Sequence, residues 1–314
     1  MDISSKLTAI EKALPLLREH GSRCSLCARK CLVDRSAAEG HCRAGTGPVV
    51  YTYGPHHGEE PPVSGENGSG TVFFSFCGMD CVYCQNHKFS RTGAGENASP
   101  ERLAGMALEL QEKGCHNINL VSPTHFLPAI VHALGIAYSK GLELPVVYNS
   151  GGYDSPEVIS LLKGIVDIYL LDMRYSDDGN AVRYSSAPGY TRISRQNLIE
   201  MYSQTGQLRI TDGTASGGLI IRLLVLPGDI AGCGDTLEFI SAALGTEVHL
   251  SIMSQYTPLF KARDIPVLDR RITRREYDRV VDKAELLGFV NGWTQPFFGD
   301  PEKGLLGTDL ALGN

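Results

Sequence analysis

From Thr71 onward the chain alternates between two kinds of segment. Short runs rich in Val, Ile and Leu are separated by stretches with helix-start signals. The runs are TVFFSF (71–76), NINLV (117–121), PVVYN (145–149), VDIYLLD (166–172), LIIRLLVLP (219–227) and VHLSIM (248–253). Runs this apolar predict strands buried on both faces, and such strands joined through helices form a parallel sheet. Ser99-Pro100-Glu101 supplies a cap, a first-turn proline and an early acid, which predicts a helix to about Lys113. Ser155-Pro156-Glu157 repeats the signal. Further helices are expected over 126–140, 191–204 and 234–244. A last one opens at the capping box Thr273-Arg-Arg-Glu276 and ends near Leu287. Residues 205–217 predict an inserted turn with Asp212-Gly213 at its tip. The fold class is therefore α/β. A closed barrel, a partial barrel and an open sheet all fit the connections.

The segment before Thr71 differs. Residues 1–21 carry Leu7, Ile10, Leu14 and Leu17 on one face of an amphipathic helix, without the continuous apolar core of a signal peptide. YTYGPHHGEEPPVSGENGSG (51–70) is polar and rich in Gly and Pro, which predicts a long loop. It holds His56, His57, Glu59 and Glu60, either facing a substrate or solvated. The expected division is 1–50 for the first helix and a cysteine-rich segment, 51–70 for the loop, 71–260 for the core, and 261–314 for a C-terminal helix and tail. No run of about eighteen apolar residues, the length a membrane span needs, occurs in the chain. A net charge of −6 argues against nucleic acid as the main partner. Arg23, Arg29, Lys30, Arg35 and Arg43 gather near the first cysteines and are expected to be a solvated face.

Nine cysteines without a secretion signal suggest metal or redox chemistry in a reducing cytoplasm. Cys115 and Cys233 stand alone and are expected to be small buried hydrophobes. Cys77-x3-Cys81-x2-Cys84 follows the first predicted strand, at the sheet edge where α/β proteins build sites. Three thiolates can hold a cubane iron–sulfur cluster and leave one iron open. A zinc site would need a fourth ligand from elsewhere. Cys24-x2-Cys27-x3-Cys31-x10-Cys42 has four thiols, enough to close a site. Zinc and a second iron–sulfur cluster both fit it, in a structural role, and a disulfide pair is a third reading.

The triad, with Tyr83 just before its last cysteine, resembles the signature of the radical S-adenosylmethionine (SAM) superfamily. GSGTVFFSFCGMDCVYCQNHKFS, HNINLVSPTHFLPAI, LPVVYNSGGYDS, VDIYLLDMRYSD, LIIRLLVLPG and CSLCARKCLVDRSAAEGHCRAG are similar to an iron–sulfur branch related to pyruvate formate-lyase activating enzymes. The resemblance implies a partial (β/α)6 barrel with a small cysteine-rich N-terminal appendage. It implies a [4Fe-4S] cluster on Cys77, Cys81 and Cys84 that binds and reductively cleaves SAM. The resulting 5′-deoxyadenosyl radical would abstract hydrogen from a protein, peptide or small molecule. It places Tyr83 near the adenine. Asp172 and Arg222 match SAM-contacting positions, with Arg174 where activating enzymes have lysine. Asn149 stands for their aspartate after the third strand, and Ser122-Pro123-Thr124-His125 replaces their Gly-Gly motif. His125 and the pair Gln255 and Tyr256 sit at the same strand edge. A reducing partner such as flavodoxin or ferredoxin is implied. Two further readings are a glycyl-radical activase acting on a partner protein and a non-enzymatic Fe–S redox or sensor protein.

Overall fold

The computed structural model describes residues 2–297. Helix α1 (Ile3–Ser22) is capped by Asp2, whose side chain accepts from the Ser5 amide. It buries Ile10, Ala13 and Leu17. Its buried Lys6 donates to the Tyr138 hydroxyl (2.8 Å) and pairs with Asp167, which ties the helix to the main body.

The chain continues through β1 (Val49–His56), α2 (Pro61–Ser64), β2 (Ser69–Phe74), α3 (His87–Ser90), β3 (Glu96–Asn97), α4 (Pro100–Glu112) and β4 (Ile118–Val121). Next come α5 (Leu127–Ser139), β5 (Val146–Ser150), α6 (Pro156–Ser160), β6 (Ile168–Asp172), α7 (Asp178–Ser185) and α8 (Tyr190–Thr205). The last elements are β7 (Arg209–Thr211), β8 (Thr214–Leu224), α9 (Cys233–Leu244), β9 (His249–Met253), α10 (Arg274–Leu287) and β10 (Gly292–Thr294).

The six expected strands are β2, β4, β5, β6, β8 and β9, and they pair in that order, all parallel. β10 extends the sheet in parallel beside β9. The sheet is a partial (β/α)6 barrel: its two edges do not join among the described residues. The predicted helices are present, and α10 has the full capping box between Thr273 and Glu276. The Asp212-Gly213 turn joins β7 and β8 as a hairpin.

The expected loop over 51–70 is corrected. Residues 51–56 belong to β1, antiparallel to β2, and 61–64 form α2. Gly54 and Pro55 hid the strand. Beyond Val50, β1 has no second neighbour, since β3 pairs only with Val49 and Val50. A proline without an N–H is tolerated on such an edge. The Ser155-Pro156-Glu157 signal yields only the short α6. α7 was not anticipated. The C-terminal tail beyond residue 297 lies outside the described residues.

The two faces of the sheet bury different residues. Tyr148, Tyr169, Leu171 and Ile221 belong to the large core that also holds the helices. Val147, Ile168, Leu170 and Ile220 alternate with them and pack on Val63 of α2. Helix α2 thus stops the barrel interior near the N-terminal ends of the strands. Fully burying Val63 contributes about 2 kcal/mol.

Candidate active site at the C-terminal edge of the sheet

The Cys77–Cys84 loop leaves the end of β2 and is held by α7. The amides of Asp80 and Val82 donate to the carbonyls of Ser185 (3.0 Å) and Tyr184 (2.9 Å). Each thiol has a polar partner. The Met79 amide donates to Cys77 Sγ (3.4 Å). Ser185 Oγ donates to Cys81 Sγ (3.0 Å), and Ser90 Oγ is 3.3 Å from Cys84 Sγ. A chain of hydroxyls ends on the second sulfur. Tyr83 donates to Tyr175 (2.7 Å), and Tyr175 reaches Ser185 Oγ (2.6 Å). Hydrogen bonds to ligating sulfurs tune an iron–sulfur potential.

Burial raises the Cys81 pKa and pushes that of Cys84 up to about 12. Bound iron would reverse that preference, because a coordinating thiol is deprotonated outright. Among the described residues, no three His, Cys, Asp or Glu side chains converge closely enough to clasp a single metal ion. A cubane binds each thiolate through a different iron, so its sulfurs stand apart. Three thiols, each with a polar partner, supply the donor set that such a cluster takes.

A cavity of about 270 Å³ opens beside this loop. Tyr83 and Cys84 line one side; Ser122, Asn149, Asp172 and Arg174 line it from the strand ends. Cys77 and Cys81 do not line it. Tyr83 is buried and packs edge-on against Tyr175 and Tyr256, with centroids 6.5 and 6.1 Å away. Arg174 pairs with Asp172 (2.5 Å), while its Nε is buried without a partner. A Cβ on Gly151 would lie 3.3 Å from that Nε, so the glycine lets the guanidinium approach.

Arg222 lines the same cavity but is held differently. Its Nε donates to Glu60 Oε1 (2.8 Å), and its Nη2 reaches both Glu59 and Glu60. Asn119 donates to the other oxygen of Glu59 (2.8 Å). The pKa of Glu60, which burial alone would raise, is lowered by Arg222.

Of the His56–Glu60 group, His56, Glu59 and Glu60 line the cavity, so the solvated alternative fails for them. His125 does not line it. It is buried against Phe126, its Nε2 lies 2.8 Å from the Ser75 carbonyl, and burial lowers its pKa to about 4. Gln255 lines the cavity, whereas Tyr256 lies behind Tyr83 with its hydroxyl on the Leu268 carbonyl (2.7 Å). Sequence reasoning missed Gly151, Ser251, Trp293 and Gln295 in the lining. Gly151 and Gln295 lie just past strand ends, Ser251 lies within β9 and Trp293 on β10, and closeness to a strand's C-terminal end is the signal that was available.

Cys24, Cys27, Cys31 and Cys42 lie outside the cavity but close to the loop. A Cβ on Gly78 would come within 3.5 Å of Cys27 Sγ. Arg29 donates to the Gly78 carbonyl (2.6 Å) and stacks over Tyr153. Arg29 is therefore a tie between segments rather than part of a solvated face, and Arg35 is buried. Leu26 and Ala44 join the main core, so the segment is not an independent appendage. All nine cysteines are free of disulfides.

The model of the radical SAM superfamily matches residues 71–228, just over half of the 314-residue chain. The chain is 31% identical to the uncharacterized protein MJ0674 of Methanocaldococcus jannaschii over 271 residues, covering 83% of this chain and 74% of that one. The chain belongs to the radical SAM superfamily. Similar solved structures include a radical SAM methyltransferase from Sphaerobacter thermophilus, with 15% identity and TM-score 0.47 over 72% of this chain and 65% of that one. The FeFe-hydrogenase maturase HydG from Carboxydothermus hydrogenoformans matches at 15% identity and TM-score 0.46, over 67% of this chain and 48% of that one. The chain thus spans less than two thirds of the length of either structure, and at these scores the likeness adds nothing to the assignment.

Proposed function

We propose that this protein is a radical SAM enzyme whose Cys77, Cys81 and Cys84 hold a [4Fe-4S] cluster facing the cavity. The observation that carries this is the loop itself: three hydrogen-bonded thiols, one of them in the wall of a cavity with charged side chains. When bound, the reduced cluster and SAM together supply a 5′-deoxyadenosyl radical that takes a hydrogen atom from substrate. The chain's own residues do the rest. Arg174 offers an unfilled donor and Asp172 an acceptor for the polar groups of SAM. Tyr83 gives an apolar face. Asn149 and Ser122 add hydrogen-bonding groups at the strand ends. The Glu59–Arg222–Glu60 group fixes the inner wall, so Arg222 acts on ligand through the single nitrogen that these carboxylates leave free.

The electron comes from a low-potential donor such as flavodoxin or ferredoxin, and the N-terminal cysteines hold a second metal group. The substrate is a protein, a peptide or a small molecule. The activating-enzyme resemblance makes a partner protein's glycine one member of that set. Anaerobically reconstituted protein with SAM and dithionite should release 5′-deoxyadenosine. An intact cluster that never cleaves SAM would overturn the reading and leave a redox or sensor protein. Deuterium transfer from labelled candidates into 5′-deoxyadenosine would identify the substrate.

A further inference from the structure

Arg174 near the triad pairs with Asp172, whereas the buried arginine among the N-terminal cysteines has no carboxylate partner among the described residues. Arg35 is 6% exposed, yet its Nε and Nη1 are buried without a hydrogen-bond partner. It lies in the segment between Cys31 and Cys42. An unpaired buried cation is costly, and native chains retain one where an anion faces it. Neutral thiols are not that anion. Four thiolates on a metal group are, since they leave the group with net negative charge.

The backbone agrees. The Leu32 amide donates to the Cys24 carbonyl and the Cys24 amide to the Val33 carbonyl (both 2.9 Å), which sets Cys24 beside the Cys31 end of the segment. A Cβ on Gly40 would lie 3.5 Å from Cys31 Sγ, so the chain folds back onto Cys31 two residues before Cys42. The intervals also match: x2 then x3 in the first segment, x3 then x2 in the second.

From this arrangement we infer that Cys24, Cys27, Cys31 and Cys42 hold a second, fully ligated [4Fe-4S] cluster, with Arg35 as its buried counter-charge, through which electrons enter the protein. Contact with the triad's loop is the reason to favour a redox-active cluster over zinc here. The Cys27 side chain abuts Gly78, the residue after Cys77, so the two sites share a wall. One electron passes from a low-potential donor protein to the N-terminal cluster and then to the cluster at the triad. The donor is oxidised by one electron, the triad cluster is reduced by one, and no bond breaks. The inference rests on the triad holding a cluster, and the first experiment separates the two claims.

Iron, zinc and acid-labile sulfide are to be counted in the whole anaerobically reconstituted protein and in the Cys77→Ala/Cys81→Ala/Cys84→Ala variant. The expected result is about eight irons in the first and about four in the second, without zinc. About four irons in the parent and none in the variant would overturn the second cluster and leave the first. Zinc held by the variant would also overturn it. About four irons in both would keep the second cluster and remove the first. Arg35→Met and Arg35→Lys supply the independent reading. Loss of the charge should shift one of two reduction waves to more negative potential, and lysine should restore part of the shift. Two unshifted waves would overturn the counter-charge. Cys27→Ser should lose turnover driven by reduced flavodoxin in far greater proportion than turnover driven by dithionite. An equal loss with both reductants would overturn the electron-entry role.

Discussion

Arg174 and Arg222 face one cavity from neighbouring strand ends, and they are not equivalent. Arg222 is 8% exposed and gripped by two carboxylates. Arg174 has one carboxylate and a bare Nε. With two of its three nitrogens on carboxylates, Arg222 is mainly architecture. A guanidinium with a donor left over can take a ligand. The motif resemblance marks Asp172 and Arg222 as SAM contacts, and the bare Nε is the reason we propose Arg174 beside them.

The widest test removes the ground on which both stand. Cys81→Ala should abolish iron binding at the triad and all 5′-deoxyadenosine formation, measured by iron assay and chromatography. SAM cleavage by that variant would break the comparison outright. Next, Arg222→Met strands two buried carboxylates and should cost about 3–5 kcal/mol of stability in a denaturant titration. A variant as stable as the parent would show that Arg222 is not a structural tie.

Acid sharpens the comparison once the contribution of His125 is set aside. Its folded pKa lies near 4, below the unfolded value of 6.5. Between those values the unfolded chain binds a proton that the folded chain refuses. Stability therefore falls as pH drops from 6.5 to 4, by about 3 kcal/mol from this group. His125→Phe should flatten that slope. The pKa of Glu60 is lowered on folding, so its contribution is present above the unfolded value and is lost as pH falls through the folded one. A loss of stability below pH 4.5 that survives in His125→Phe and is reduced by Glu60→Gln would assign it to the Arg222 group.

The smallest effect is expected at Arg174. Arg174→Met should weaken SAM binding about tenfold to a hundredfold, since a hydrogen bond to a charged group contributes about 1.5–3 kcal/mol. Equilibrium binding to the reconstituted protein measures this. It should cost less stability than Arg222→Met, and the reverse order would invert the comparison.

Six strands were legible because both of their faces are buried, which leaves an unbroken apolar run. β1 was not, because it is an edge strand that carries Gly54 and Pro55. α7 opens on Asp177, whose side chain caps the Asn180 amide (2.7 Å), but DGNAVRYS has too few apolar positions to show a period. Spacing marked the triad as a candidate metal site, and only the family resemblance narrowed it to a cluster. The partners of Arg222 were not legible, because Glu59 and Glu60 lie more than 160 positions away in the chain. Only the register that sets β6 beside β8, and the placement of α2, brings them together. Arg35 shows the same limit. The sequence marks a basic residue near cysteines, and only packing shows that it is buried and unpaired.

Helix α2 has one more consequence. It stoppers the barrel from below, with Val63 wedged among the inward-facing side chains. With that end stopped, reactants come in over the rim that carries the cysteine loop or between the unjoined sheet edges. Entry over the rim alone makes a queue, in which the deeper occupant goes in first and comes out last. Compulsory order in steady-state kinetics is then the expected result, and random order would point to the sheet edges. The four-residue plug, rather than any residue that touches the reacting atoms, would set that sequence.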